Sequence, residues 1–383
     1  MIKNKYTIAQ ILPALNTGGV ERGVIEVSKS LVDNNFKSIV ISSGGHMEIQ
    51  LKRTGSIHYT LDVNSKNPLK WRKIRKKLKV ILEKEKVDLI HFCSRAPAWI
   101  GFPLGKILDI PVITSVHMRF RKSNYFKKIY NSILTRGDAI IAISNHIEMS
   151  IKSIFPKVSN KIKLIHRGVD LNLFDTNKIK PARIIAQSKL IGIKDSIPVI
   201  VMAARPALWK GYLVLFEALS KVKNNFQCVL IGAADGNQKF QQQLINKIIK
   251  FNLEGKIKLV KSSRDIQAAM ILGDIVVMPS VTPEPFGRII VEAQALGKIP
   301  IAFDHGGASE IIIDGKTGFL AEANNASSLA EKISFALSLK DSKRQKMGEY
   351  SKKFVSKNFS HDRMCNLTIS LYKQCLAEHK RKS

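Results

Sequence analysis

Short apolar runs alternate along this chain with longer segments in which apolar and polar positions follow a helical period. Strands that alternate with helices are typical of α/β folds built on parallel sheets. The predicted strands are 6–12, 38–42, 88–92, 111–117, 138–143, 198–204, 228–232, 256–260, 274–277 and 298–303. The predicted helices include 70–86, 264–270, 326–339, 341–353 and 360–377.

A polar stretch separates the predicted strands into two groups. Residues from about 174 to 196 carry no clear strand pattern, and a chain of 383 residues is long enough for about two domains. We therefore expect a first domain over 1–175, a linker over 176–197, a second domain over 198–355 and a terminal helix over 356–383.

The segment 281–297 holds two carboxylates, Glu284 and Glu292, and it follows a predicted strand. A helix that begins near Gly287 would carry Glu292 a little over one turn in, while Glu284 would lie among the unpaired N–H groups that precede the helix. Such N–H groups suit a phosphate or a sugar hydroxyl, and a carboxylate accepts hydrogen bonds from a vicinal diol. A sugar nucleotide presents both groups, although two solvated surface glutamates are the simpler alternative.

Other candidate residues follow predicted strands. Gly18 and Gly19 form a turn that lets a ligand approach a helix N-terminus, or an ordinary tight turn. Arg205 and Lys210 flank a turn, so both cations can converge on a diphosphate. His117 ends a predicted strand, where a histidine is either a buried core residue or a group that faces a ligand crevice.

Three motifs succeed one another between residues 283 and 320. They are the two glutamates separated by seven residues, the Gly-Gly-x-x-Glu at 306–310 and the Gly-x-x-Gly-Phe-Leu at 315–320. Together they resemble the nucleotide-binding core of retaining glycosyltransferases of family 4, and the resemblance extends over nearly the whole chain. It implies the GT-B fold, in which two doubly wound Rossmann-like domains face a cleft and a terminal helix packs back on the first domain.

The resemblance implies a role for each candidate in the second domain, which would hold a nucleoside-diphosphate-sugar donor as a substrate, with no cofactor. Glu292 would bind the ribose diol and Glu284 the hydroxyls of the donor sugar. Backbone amides of Phe286 and Gly287 would assist them. Arg205 and Lys210 would stabilise charge on the leaving diphosphate, which is electrostatic catalysis.

The resemblance also assigns the first domain to the acceptor side. Gly18 and Gly19 would meet the diphosphate or sugar of the donor, and His117 would lie beside the transferred sugar. The implied reaction moves a hexose-type sugar to an acceptor hydroxyl with retention of anomeric configuration. The donor's own phosphate would deprotonate the acceptor, so no protein base is needed.

Charge narrows the class of acceptor. The chain carries 62 Lys and Arg against 30 Asp and Glu, a formal net charge of +32, which favours anionic partners. The basic stretches contain no recognisable motif for reading nucleic acid, so a nucleic-acid-binding protein is the weaker alternative. An epimerase or a phosphorylase on the same fold is a second alternative, although a small soluble substrate needs no such basic surface.

The segment 70–86 predicts a basic amphipathic helix whose apolar side includes Trp71, Ile74 and Leu78. A solvated helix packed on the sheet is one interpretation, and a membrane-surface helix is the one we favour. A second basic and aromatic patch lies at 119–128. The two patches predict docking on anionic lipid, and a lipid-linked or glycan acceptor such as those of lipopolysaccharide synthesis.

The absence of certain motifs leads to predictions about metal binding and cellular compartment. The four cysteines lack paired metal-ligand spacing, which disfavours both zinc and a disulfide framework and favours a reducing cytosol. No Asp-x-Asp occurs in the central loop, so we expect no metal on the diphosphate. The first residues are interpreted as a strand rather than a signal segment, and the expected location is cytoplasmic and peripheral on the inner membrane face.

Overall fold

The computed structural model describes residues 6–16, 18–120 and 125–381. The chain divides into two compact units, one made of Met1–Arg167 with His361–Ser383 and the other of Gly168–Ser360. Segment 176–197, for which a linker was predicted, lies within the second unit and contains a helix over Pro181–Ile191.

The first unit is built on a seven-stranded sheet in which every described strand pair is parallel. The strand order is β3-β2-β1-β4-β5-β6-β7, so the direction of winding reverses between β1 and β4. The strands are β1 (Thr7–Ile11), β2 (Lys37–Ser42), β3 (Ile57–Thr60), β4 (Leu89–Phe92), β5 (Val112–Val116), β6 (Ala139–Ala142) and β7 (Ile162–Leu164). The helices between them are α1 (Gly19–Asp33), α2 (Glu48–Lys52), α3 (Pro68–Lys84), α4 (Arg95–Ile107), α5 (Tyr125–Ser132) and α6 (Asn145–Ile154).

The second unit repeats this design on a six-stranded parallel sheet, with the order β10-β9-β8-β11-β12-β13 and a reversal between β8 and β11. The strands are β8 (Val199–Ala203), β9 (Gln227–Ile231), β10 (Ile257–Val260), β11 (Ile275–Met278), β12 (Ile299–Phe303) and β13 (Phe319–Ala321). The helices are α7 (Pro181–Ile191), α8 (Tyr212–Lys221), α9 (Gln238–Lys250), α10 (Ile266–Ile271), α11 (Arg288–Ala295), α12 (Ala308–Ile311), α13 (Ala326–Ser338) and α14 (Asp341–Asn358), and the chain ends with α15 (His361–Lys380).

The terminal helix α15 completes the core of the first unit. Its buried side includes Ile369, Tyr372 and Leu376, which share one apolar cluster with residues of β1, β4 and α1. The hydroxyl of Tyr372 lies 2.6 Å from Nδ1 of His91 on β4, and Nε2 of His91 lies 2.6 Å from the hydroxyl of Ser115 on β5. Burial lowers the pKa of His91 to about 3, with Arg167 as a secondary cause, so this imidazole is neutral in the folded protein.

A local signal explains where α6 begins. Ser144 accepts a hydrogen bond from the Ile147 amide and caps α6, as expected for a side-chain oxygen at that position.

The predicted fold class is confirmed: both units are doubly wound, parallel, Rossmann-like α/β domains of the GT-B type. Within the described residues, no helix combines the length and the apolar character that crossing a bilayer requires.

Candidate functional site

Two loops meet at the carboxyl edge of the second sheet, where the strand order reverses and ligands bind in folds of this kind. One follows β8 and the other follows β11. The amide of Val281 donates to the carbonyl of Trp209 at 2.9 Å. Gly211 has a φ of +89°, and a Cβ there would lie 1.7 Å from the carbonyl oxygen of Pro279. Only glycine allows this approach, which fixes the Lys210 turn against β11.

Lys210 and Glu284 face each other across these two loops. The Lys210 ammonium lies 2.5 Å from Oε1 of Glu284, and both side chains are largely buried. The hydroxyl of Ser280 donates to the same oxygen at 2.7 Å. Both side-chain contacts of Glu284 within the described residues use Oε1.

The second carboxylate lies on the helix that follows. α11 begins at Arg288, and Gly287 precedes it with a left-handed φ of +105°, close to the predicted start. Glu292 is buried in the second turn, and Nε of Arg288 lies 3.6 Å from its Oε1. Glu284 therefore lies on a loop and Glu292 on the helix, as the sequence predicted.

The ring of Phe286 anchors the loop between the two carboxylates. It is buried and packs edge-on against Phe359 with ring centroids 5.9 Å apart. Because the side chain is used for packing, any contact of Phe286 with a ligand falls to its backbone, as it would for Gly287.

The Gly-Gly-x-x-Glu segment after β12 packs against the backbone of the loop that carries Glu284. The amide of Gly307 donates to the carbonyl of Glu284 at 2.9 Å. A Cβ on Gly306 would lie 2.6 Å from that carbonyl oxygen, and one on Gly307 would lie 2.0 Å from the carbonyl oxygen of Phe286. The two glycines are therefore required for close packing of one loop on the other.

Arg205 is exposed on the same turn as Lys210. Its backbone carbonyl accepts a hydrogen bond from the hydroxyl of Tyr212 at 3.3 Å, which also donates to Ala204 at 3.0 Å. No ion pair or side-chain hydrogen bond of Arg205 is found with the residues that the structure describes. The structure thus joins Lys210 to Glu284, while Arg205 is an exposed residue of the same turn.

In the first unit, the glycine turn lies at the start of α1, after β1. Gly18 precedes α1. A Cβ on Gly18 would lie 2.3 Å from Oε2 of Glu21 on that helix, so the glutamate side chain packs against this glycine. Arg167 donates to the carbonyl of Gly19 at 2.6 Å. Its guanidinium fits there because Gly23 has no side chain, since a Cβ would lie 1.9 Å from Nη1. Thr17 lies outside the described residues.

His117 follows β5 and borders a small cavity together with Arg167, His91 and Ser115. The cavity measures about 30 Å³, which is room for about two water molecules. Both ring nitrogens of His117 are buried without a hydrogen-bond partner among the described residues. Burial, followed by Arg167 and His91, holds the pKa of His117 well below its usual value, so the ring offers one donor and one acceptor.

The predicted basic helix forms part of an aromatic surface on the first unit. Its apolar side chains Ile74, Leu78 and Leu82 are buried, and its cations Arg72, Lys73, Lys76 and Lys77 are exposed. Trp71 on α3 stacks on Trp99 of α4 at 6.3 Å, and the indole N–H of Trp99 donates to the carbonyl of Tyr130 on α5 at 3.1 Å.

The neighbouring helix α5 exposes large apolar side chains. Tyr125 is 73% exposed and Phe126 is 78% exposed, and Lys127 and Lys128 follow them directly. Residues 121–124 of the predicted second patch lie outside the described residues. In the part that is described, exposed aromatic rings stand beside exposed lysines.

The described ranges contain no group of three or more His, Cys, Asp or Glu side chains placed to hold a metal ion. The four cysteines are free and buried. Burial raises the pKa of Cys93 to about 12, so this thiol is unreactive at neutral pH.

Three residues of the sites were not predicted from the sequence. They are Ser280, Trp209 and Arg167. Ser280 directly precedes the Glu284 loop, which is a weak signal for it. Nothing local indicates that Arg167 would reach Gly19, which lies 148 positions away.

Two family models match this chain. The model for glycosyl transferases group 1 matches residues 185–354, and the model for Glycosyltransferase Family 4 matches residues 17–173. The crystal structure of a glycosyltransferase from Rickettsia africae is 36% identical, with a TM-score of 0.90 over 97% of this chain and 99% of that one.

Two further similarities are more distant. An Anabaena protein solved in complex with UDP-glucose is 23% identical, with a TM-score of 0.84 over 96% of this chain and 99% of that one, and shares the fold. A lipopolysaccharide 1,2-N-acetylglucosaminetransferase of Salmonella typhimurium is 28% identical over 179 residues, which is 44% of this chain and 46% of that protein.

Proposed function

The chain belongs to the glycosyltransferases, and on that premise we propose that it moves a sugar from a nucleoside-diphosphate donor to a hydroxyl of a membrane-associated glycan or lipid, with retention of anomeric configuration. The observation that carries the donor assignment is the Lys210–Glu284 pair at the carboxyl edge of the second sheet. A cation and a carboxylate held together there suit the two halves of a sugar diphosphate.

Each candidate site residue of the second unit has a role in this proposal. Glu292 accepts hydrogen bonds from the ribose diol, and Glu284 accepts one from a hydroxyl of the donor sugar. Lys210 and Arg205 stabilise the charge that develops on the diphosphate as it leaves. The backbone of Phe286 and Gly287 assists at the start of α11. The positive charges of Lys210 and Arg205 take the place of a metal ion at the diphosphate, so transfer proceeds without a metal.

The first unit supplies the acceptor side. Following the resemblance to family 4, we assign Gly18 and Gly19 to the donor and His117, which is neutral, to the transferred sugar. We infer that the donor phosphate takes the proton of the acceptor hydroxyl, since the resemblance to family 4 implies that no protein base is required.

The basic surface of the first unit supports the proposed class of acceptor. Exposed cations on α3 and exposed aromatic rings on α5 are complementary to anionic lipid, where each Lys or Arg near the surface contributes about 1 kcal/mol. A relative named for lipopolysaccharide synthesis supports an envelope glycan as the acceptor. The proposed location is the cytoplasmic face of the membrane, with no role for nucleic acid.

A thermal-shift panel tests the donor assignment. A ligand that binds only the folded state raises the melting temperature, and the shift grows with the logarithm of its concentration relative to its Kd. UDP, GDP, ADP and CDP are compared at one concentration, and one of them should stabilise the wild-type protein more than it stabilises the Glu292→Ala variant. Stabilisation by none of the four would contradict a nucleoside-diphosphate donor.

A further inference from the structure

An exposed tryptophan lies beside the Lys210–Glu284 pair. Trp209 is 36% exposed, and the Lys210 ammonium lies 4.3 Å from the centroid of its ring. A cation over an indole face is held by the ring quadrupole, and tryptophan is the strongest aromatic partner for this contact. The same ammonium lies 2.5 Å from Glu284.

The backbone around Trp209 is fixed on both sides. Leu208–Lys210 forms a 3₁₀ turn, and the Trp209 carbonyl accepts the amide of Val281 at 2.9 Å. Gly211 then packs its α-carbon against Pro279. A turn held in this way presents the indole to Lys210 rather than to the apolar core of the second unit, which does not include Trp209.

A lysine side chain has four rotatable bonds, so an ammonium that acts on a diphosphate must be held in place by its surroundings. Glu284 is the one hydrogen-bond acceptor that the Lys210 ammonium meets within the described residues. The indole face stabilises the charge without accepting a hydrogen bond, so further N–H donors of Lys210 stay available for diphosphate oxygens.

We propose that Trp209 is a positioning residue for sugar transfer: it holds the Lys210 ammonium between its ring face and Glu284, where the cation meets the leaving diphosphate. This inference rests on the proposed function, because it assumes a diphosphate at Lys210. Trp209 acts through Lys210, and the charge on the leaving diphosphate grows during transfer. Loss of the ring therefore reduces kcat more than it raises the donor KM.

A double-mutant cycle tests this role. Trp209→Leu removes the aromatic face, Trp209→Phe keeps one, and Lys210→Gln removes the cation. We expect Trp209→Leu to lower kcat about tenfold and Trp209→Phe to lower it less than threefold. In the Lys210→Gln background, Trp209→Leu should have no further effect, because the two residues act as a unit. Equal and independent effects in both backgrounds would overturn the proposal and make Trp209 a packing residue.

Fluorescence gives a second readout that a packing role would not produce. Trp71 and Trp99, the other two tryptophans, belong to the first unit. Addition of the nucleoside diphosphate that binds in calorimetry should change the emission of the wild-type protein and of the Lys210→Gln variant differently. The change should be absent in Trp209→Phe. The same change in all three proteins would contradict contact through Lys210, whereas failure of wild type to bind any of UDP, GDP, ADP and CDP would contradict the proposed function itself.

Discussion

The ammonium of Lys210 and the carboxylate of Glu284 lie 2.5 Å apart, although they belong to loops that follow different strands. The pair is largely buried, and Ser280 donates to the same oxygen of Glu284. A donor would enter a site whose cation and carboxylate are already fixed. Such preorganisation is how an enzyme avoids reorganising charged groups as the reaction proceeds.

Glycine at position 211 is required for this arrangement. Gly211→Ala places a Cβ 1.7 Å from the carbonyl oxygen of Pro279 at a φ of +89°, so the turn that carries Lys210 must move. We expect a lower melting temperature and a loss of transfer activity of more than tenfold. Gly255→Ala is the matched control, since Gly255 has a φ of +72° and open space around a Cβ, and it should cost only about 1 to 2 kcal/mol of stability with activity kept. Equal effects of the two substitutions would mean that only φ matters.

Metal dependence provides a second prediction. Lys210 and Arg205 supply positive charge at the proposed diphosphate site, so transfer should continue in EDTA at its full rate. The assay compares the initial rate with EDTA, without EDTA, and after addition of Mn²⁺. Loss of activity in EDTA that Mn²⁺ restores would contradict the assignment of these two cations.

Membrane docking is tested by removing charge from α3. Changing Arg72, Lys73, Lys76 and Lys77 to Gln should release the protein from anionic vesicles, because each cation near the surface contributes about 1 kcal/mol. These side chains are exposed, so the fold should persist. Cosedimentation with phosphatidylserine vesicles measures the effect, with transfer to a soluble acceptor analogue as a test of catalytic integrity.

The control for docking removes the same number of charges from the second unit. Lys239, Lys250, Lys340 and Lys346 are exposed there, and their change to Gln leaves the net charge equal to that of the α3 variant. Vesicle binding should persist in this control. Equal loss of binding in both variants would indicate attraction by net charge, with no docking surface on α3.

The pH dependence of stability follows from His91. Its pKa is about 3 in the folded protein because it is buried, and the usual value of 6.5 applies when the chain unfolds. Between these values the unfolded chain binds the extra proton, so this group makes stability fall as the pH falls below about 6.5. The slope from one such group is at most about 1.4 kcal/mol per pH unit. Denaturant unfolding at pH 7.5 and 5.0 should show a smaller loss of stability for His91→Gln than for wild type, and an identical loss would contradict a buried neutral His91.

Sequence pattern was sufficient for the parts of this molecule that depend on local order. The buried strands β8, β11 and β12 are continuous apolar runs. Gly287 marks the start of α11 well enough to place Glu284 before the helix and Glu292 on it.

Strands at the edges of the first sheet were not predicted. β3 and β7 are short, and half or more of their residues are not fully buried, so neither gives a continuous apolar run. The helix α7 also escaped prediction although Pro181 begins it and Gly192 follows its end. A distant contact holds it, in which Arg183 pairs with Asp265 through two hydrogen bonds of 2.7 Å.

Some contacts could not be predicted from the sequence because they depend on parts of the chain that are far apart in it. Trp209 meets Lys210 face-on only because the turn is held by Val281 and Pro279. His91 and Tyr372 are 281 positions apart and become partners only when α15 packs on β4. Such pairs are properties of the folded chain rather than of any local pattern.

The central claim, that Glu284 and Glu292 bind different parts of one nucleoside-diphosphate-sugar, is tested most directly by donor kinetics combined with calorimetry. Glu292→Ala should raise the donor KM by a factor that corresponds to about 1 to 3 kcal/mol of lost binding free energy, and it should weaken binding of the bare nucleoside diphosphate. The reason is that a contact with the ribose is equally strong in the ground state and in the transition state. Glu284→Ala should chiefly lower kcat and leave diphosphate affinity nearly intact, while the exposed Glu331→Ala serves as the unchanged control. Loss of diphosphate binding in Glu284→Ala with binding kept in Glu292→Ala would reverse the two roles, and unchanged binding and rate in both variants would contradict the account.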